Sequence, residues 1–129
     1  MVRVLPLTGD HDRLDFDCGS QELNNWLRRI ARHYQDKGLS RTFVAIRETE
    51  PIRICGYYAL TLTEIEGHHL PVLWRQKLLR RIPGIRMGRL AIAQADQGRG
   101  LGKLLLVNAL TRIRRIHQEA GGIAVCRCH

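Results

Sequence analysis

The chain has 129 residues, 44% of them hydrophobic and 26% charged, which is the make-up of one globular domain and excludes a disordered chain. Twenty-one Lys and Arg against 12 Asp and Glu leave a formal charge of +9, which suits a polyanionic partner such as nucleic acid. No apolar run reaches the roughly 18 residues a membrane span needs, and Met1–Leu7 is too short, with Asp10 and Asp12 too close behind it, for a signal peptide. A cytoplasmic protein without a membrane segment is expected.

Arg3–Leu7 reads as a first strand, closed by Thr8-Gly9-Asp10. Phe16-Asp17-Cys18-Gly19 reads as a turn, and Ser20 as a helix N-cap with Glu22 in the first turn. Leu23, Trp26, Leu27, Ile30, Ala31 and Tyr34 then recur at helical spacing and predict an apolar stripe. The opposite face carries Arg28, Arg29, Arg32, His33 and Lys37, and Gly38 supplies the C-terminal stop. Of these, Arg28, Arg29, Arg32 and Lys37 are candidates for contacting nucleic acid; a merely solvated face is the competing reading.

Arg41–Ile46 and Ile54–Ile65 read as two strands joined by a turn over Glu48–Pro51, an antiparallel hairpin. The period of two sends Tyr57 and Tyr58 to opposite faces, one into the core and the other toward a ligand face. A connector opens at His68-His69-Leu70-Pro71, continues as a short basic helix over Trp74–Arg81 and closes at Pro83-Gly84. Leu90–Ala93 reads as a short strand, and Gln94–Asp96 as a turn.

Gly98, Gly100 and Gly102 follow within five residues, and from Leu101 to Ile116 apolar residues recur at helical spacing. Strand, glycine turn and helix together aim free backbone N–H groups and a helix dipole at an anion, here a phosphate or pyrophosphate, with Arg99 and Lys103 adding charge. Neither a Walker A loop nor a G-x-G-x-x-G fingerprint fits: Gln97 stands five before Gly102, Leu104 follows Lys103, and Lys103 takes the third glycine position. Gly121-Gly122 ends the helix, and Ile123–Cys126 reads as a last strand. Cys18, Cys55, Cys126 and Cys128 are expected as free thiols. Cys126-Arg127-Cys128-His129 lacks a zinc-type spacer and a second ligand pair, so no metal is assigned.

Gln97, Gly100 and Gly102 do satisfy Q-x-x-G-x-G, which resembles motif A of the GNAT superfamily of acyl-CoA-dependent N-acetyltransferases. A more specific likeness comes from an ordered set: Phe16-Asp-Cys-Gly19, Leu23-Asn-Asn-Trp-Leu27, Arg41-Thr-Phe-Val44, Gly56-Tyr-Tyr-Ala-Leu60, Leu70-Pro71 and Gly88-Arg-Leu-Ala-Ile92. Over roughly residues 3 to 125 this resembles the TacT-like GNAT toxins of type II toxin–antitoxin modules. The resemblance implies an α/β (α+β) fold with a mixed, mostly antiparallel sheet flanked by helices, one domain over residues 1–129. The family's terminal helix, its last two strands and the tyrosine that serves it as general acid would then be missing. Tyr34, Tyr57 and Tyr58 do not occupy that tyrosine's place, so no catalytic residue is assigned.

The same resemblance implies that Leu90, Ala91 and Ile92 offer backbone groups to pantetheine and the acetyl carbonyl. Gln97, Gly98, Arg99, Gly100, Leu101, Gly102 and Lys103 would hold the pyrophosphate of acetyl-CoA. It implies aminoacyl-tRNA as acceptor, acetylated on its α-amino group to block translation, a ribbon-helix-helix antitoxin as partner, and a homodimer. Activity impaired by truncation is the expectation. The alternatives are a CoA- and antitoxin-binding remnant without turnover, a GNAT acting on a protein or small-molecule amine, and a basic RNA-binding module without acyl chemistry.

Overall fold

A computed structural model of the chain describes residues 1–66, 81–120 and 124–127. Strands β1 (Val2–Pro6), β2 (Ser40–Arg47), β3 (Gly56–Glu66), β4 (Arg81–Ile92) and β5 (Ala124–Arg127) form one sheet in sequence order. The first four run antiparallel, and β4 and β5 run parallel. A helical segment between β1 and β2 comprises α1 (Gln21–Asn25), a π-helical turn over Trp26–Ile30, and α2 (Ala31–Asp36). Helix α3 (Leu101–Ala120) links β4 to β5, as a parallel pair requires.

Alternation along β2 and β3 divides the core into two layers. On one face, Leu7, Phe16, Trp26, Leu27, Ala31, Val44, Ile46 and Tyr57 pack together under the first helical segment. On the other, Phe43, Ala45, Tyr58, Leu60, Ile85 and Met87 receive Leu101, Leu105, Ala109 and Ile113 of α3. The i, i+4, i+8 and i+12 spacing of those four residues is one stripe of a straight helix. Each buried aliphatic side chain of this kind contributes about 1.5–3 kcal/mol of transfer free energy.

Three features differ from the sequence expectations. Tyr57 and Tyr58 do face opposite ways, but both are fully buried, one in each core layer, so neither faces a ligand. A sheet covered on both faces leaves no solvent-facing row at its centre. Arg81 and Pro83-Gly84 belong to β4 and not to a helix end and a closing turn, because β4 pairs with β3 as far as Arg81 opposite Glu66. Pro83 lies just before the stretch paired with β5, which begins at Gly84, and among the described residues its other side carries no ladder. The connector from His68 through Trp74 to Arg80, the Gly121-Gly122 stop, Cys128 and His129 lie outside the described residues.

The third difference is the π-helical turn. Ser20 caps the helix as expected, its hydroxyl accepting from Leu23 N at 3.3 Å. The wide turn over Trp26–Ile30 then rotates the following residues relative to a regular helix. Tyr34 consequently leaves the apolar stripe and is 39% exposed. Gln35 turns inward in its place, its amide donating to Leu7 O at 2.8 Å and accepting from Thr42 N at 3.0 Å. The helix ends in a Schellman motif. Gly38 has φ +73°, its N–H reaches Gln35 O at 3.1 Å, and Leu39 N reaches Tyr34 O at 2.9 Å.

Candidate functional site

The end of β4 leads into a short 3₁₀ turn, Gln94–Asp96, and then into the glycines. Gly98 and Gly100 both have positive φ, +79° and +80°, and a Cβ placed on either would meet nothing within 4 Å. Two left-handed glycines flanking Arg99 make a concave turn open to solvent, at the head of a 20-residue helix. Leu104 N is the donor that returns to Gly100 O, at 3.1 Å, so the N–H groups just before it lie in the unsatisfied first turn. Arg99 and Lys103 are exposed beside them, whereas Leu101 turns its side chain into the core and offers only backbone. This is the geometry an anion site needs, and the residues present fit a pyrophosphate.

The turn is anchored from below. Asp96 is buried and its carboxylate receives Arg47 at 2.6 Å and Arg53 at 2.8 Å, which ties it to β2 and to the loop before β3. Hydrogen bonding to Asp96 raises the Arg53 pKa, which favours the charged guanidinium still further. Gln94 N donates to Asp17 O, and Ala93 N to Cys55 O, both at 2.8 Å. Gln97 takes a role that its motif position did not suggest: its amide nitrogen donates to Ile92 O at 2.9 Å and to Cys18 O at 3.1 Å. It clips the end of β4 to the segment that enters α1.

That clip closes one end of a cleft of about 270 Å³ lined by Leu90, Ala91 and Ile92 of β4, Gln97, and Cys18, Ser20 and Leu23. The expected pantetheine-binding residues therefore line one cleft that ends at the glycine turn. Its far wall is fixed by Asn24, which is buried, accepts from Cys18 N at 2.9 Å and donates to Asp17 at 3.0 Å. The Gly19 N–H, then the Asn24 amide, hold the Asp17 carboxyl below its usual range. On β4 the register against β3 slips between Ala59 and Leu60, which leaves Gly88 as the extra residue of a bulge next to the cleft. Neither the bulge, the Asp96 anchor nor the Gln97 clip carries a sequence signal of its own, since each depends on residues distant in the chain.

The basic helix face separates into two groups. Arg29, His33 and Lys37 are exposed and Arg32 is half-buried. Arg28 is occupied internally: it donates to Phe16 O at 2.7 Å, and its own carbonyl accepts from Arg13 at 3.0 Å. The tyrosine hydroxyls are occupied too. Tyr57 donates to Leu23 O at 2.7 Å, while Tyr58 donates to Asn108 at 2.7 Å and accepts from Arg112 at 3.0 Å. Burial pushes both phenols above their usual pKa, with Arg112 opposing the shift at Tyr58. A larger cleft of about 570 Å³, floored by Phe43, Leu60 and Ile85, lies against α3 on the sheet face opposite the first helical segment.

A mixed sheet whose fourth strand ends in a glycine nest, with a cleft along that strand, defines a GNAT-type domain. No protein-family model matches the chain. It is 35% identical over 101 residues to the tRNA-acetylating toxin of Mycobacterium tuberculosis (strain ATCC 25618 / H37Rv), a match covering 78% of this chain. The chain spans 59% of that relative's length. Among solved structures, AtaTR bound with AcCoA is 30% identical with a TM-score of 0.80, over 93% of this chain and 72% of that one. AtaT complexed with acetyl-methionyl-tRNAfMet is 29% identical with a TM-score of 0.80, over 97% and 77%. A variant AtaT toxin bound to the C-terminus of the antitoxin AtaR is 27% identical with a TM-score of 0.75, over 94% and 70%. The chain belongs to the GNAT-fold toxins of toxin–antitoxin modules.

Proposed function

We propose that the chain is an acyl-CoA N-acetyltransferase that moves the acetyl group of acetyl-CoA to the α-amino group of aminoacyl-tRNA, in the cytoplasm, under control of a ribbon-helix-helix antitoxin. The observation that carries this reading is the pair of left-handed glycines, Gly98 and Gly100, opening α3 at the end of the cleft along Leu90–Ile92. Phosphates at the turn leave the acyl arm to run back along β4. There the free amine attacks the thioester carbonyl, backbone N–H groups of β4 steady the oxyanion, and the C–S bond breaks as the thiolate leaves and is protonated. The +9 charge and the exposed Arg29 and Lys37 support an RNA acceptor. The neighbour bound to an antitoxin C-terminus supports a protein partner. We place a homodimer in the same reading.

One observation favours a second reading, a chain that binds CoA and antitoxin without turnover. The Tyr57 and Tyr58 hydroxyls are spent on internal hydrogen bonds, so neither can hand a proton to the leaving thiolate. The discriminating experiment incubates the purified chain with labelled acetyl-CoA and methionyl-tRNA. Label on the α-amino nitrogen supports transfer. Saturable CoA binding with no label on tRNA supports the second reading, and absence of both overturns each.

A further inference from the structure

We propose that Arg89 holds the phosphate of the acceptor's terminal nucleotide, and so makes the site prefer an aminoacyl group carried on a nucleotide over a bare amine. The inference rests on the acetyl-acceptor reading above. Arg89 stands opposite Ala59 and Ala91 opposite Tyr57, so both side chains emerge on the sheet face that carries the first helical segment. They are two residues apart, about 7 Å along the strand. A donor whose phosphates sit at Gly98–Gly100 fills the cleft over Ile92, Ala91 and Leu90 in turn, which brings its acetyl end toward Arg89. The acceptor must arrive at that end. The bulge at Gly88 adjoins it and bends the strand there.

The Arg89 side chain is held but not spent. Its guanidinium carbon lies 4.5 Å over the Trp26 ring centroid. Trp26 is a rigid platform, 4% exposed and stacked on Tyr57 at 5.9 Å and 10°. Stacking uses the flat face of a guanidinium and leaves its in-plane N–H donors available. Four other arginines are occupied: Arg47 and Arg53 by Asp96, Arg28 by Phe16 O, and Arg112 by Tyr58. Among the described residues Arg89 has no carboxylate partner and no hydrogen-bond acceptor, and it is half-exposed. A fixed, planar fork of donors without an acceptor matches a bidentate oxyanion, and the acceptor's oxyanion nearest to its aminoacyl group is the terminal phosphate.

The test uses two non-hydrolysable probes, 3′-methionylamino-3′-deoxyadenosine with and without a 5′-phosphate, titrated by calorimetry into the chain saturated with CoA. Binding is the readout, so turnover is not required. The wild type should bind the phosphorylated probe roughly tenfold to a hundredfold more tightly, the range of one charge-assisted contact. Arg89→Ala should bind both probes alike, at the wild-type affinity for the unphosphorylated one, with unchanged CoA affinity. Arg89→Gln keeps a stem over Trp26 and gives the same comparison if the alanine variant fails to fold. Retained phosphate preference in either variant, or equal loss for both probes, overturns the assignment and leaves the acceptor reading standing. A wild type that binds neither probe overturns the acceptor reading itself, and Arg89's role with it.

Discussion

Asp96→Asn is the perturbation that best separates a built anion turn from a loose one. The substitution keeps shape but removes the charge that Arg47 and Arg53 share, while the Asp96 side chain is only 4% exposed. Stripping one partner from a buried ion pair costs about 3–5 kcal/mol. The two guanidinium side chains keep 25% and 28% of their surface, so water relieves part of this and the lower end, about 3 kcal/mol, is expected. For a domain of this size that is a fall of roughly 10–15 °C in Tm. The turn also loses its tie to β2, and ordering one or two freed residues on binding would cost about 1–2 kcal/mol each. Acetyl-CoA affinity should therefore drop about tenfold or somewhat more. Differential scanning calorimetry and titration calorimetry on the same preparation read both quantities. A Tm within about 3 °C of wild type together with unchanged affinity would refute the reasoning, since it would make the cluster a solvated pair of little worth.

Arg28→Ala should lower stability, because it removes the bond to Phe16 O, whereas Arg29→Glu and Lys37→Glu should leave stability alone and each reduce the salt slope of tRNA binding by about one. Filter binding at several salt concentrations checks this, and equal slopes would show a merely solvated face. Tyr57 and Tyr58 predict alkaline unfolding. Their folded pKa values are raised, so above about pH 10 the unfolded chain loses phenol protons that the folded chain keeps, and stability should fall by up to about 1.4 kcal/mol per pH unit for each. Urea midpoints that stay flat from pH 9 to 11 would contradict the burial of those hydroxyls. Gly56→Ala should destabilise by about 1–3 kcal/mol, since its Cβ would stand 3.0 Å from Ala91 O and 2.8 Å from the Ile92 side chain. A melting curve identical to wild type would show that β3 and β4 can part there freely.

What was legible in the sequence was local. The N-cap at Ser20, the stop at Gly38, the hairpin of β2 and β3, and the glycine turn before α3 each follow from neighbours in the chain. What was not legible depended on pairing. The twelve-residue reach of β4 is set by β3 across from it, which overrode the Pro83-Gly84 turn signal. The inward turn of Gln35 and the loss of Tyr34 from the stripe follow from the π-helical turn at Trp26–Ile30, which a 3.6-residue period does not anticipate. At the site, the motif marked the backbone that offers itself to an anion. It did not mark the residues that hold that backbone in place, Asp96 with its two arginines and the Gln97 clip, because their partners lie between 43 and 79 residues away, Ile92 apart.

In the proposed function the nest of Gly98 and Gly100 receives the pyrophosphate of acetyl-CoA. A calorimetric titration of acetyl-CoA into the wild type and into Gly100→Asp tests it most directly, because that residue has φ +80° and open space around it. A left-handed non-glycine costs only about 1–2 kcal/mol, so the variant should still fold, while its carboxylate would repel the phosphates. Saturable binding at one site per chain is expected, lost in Gly100→Asp although its Tm falls by only about 3–10 °C. Equal affinity in the folded variant, or no saturable binding by the wild type, would contradict it.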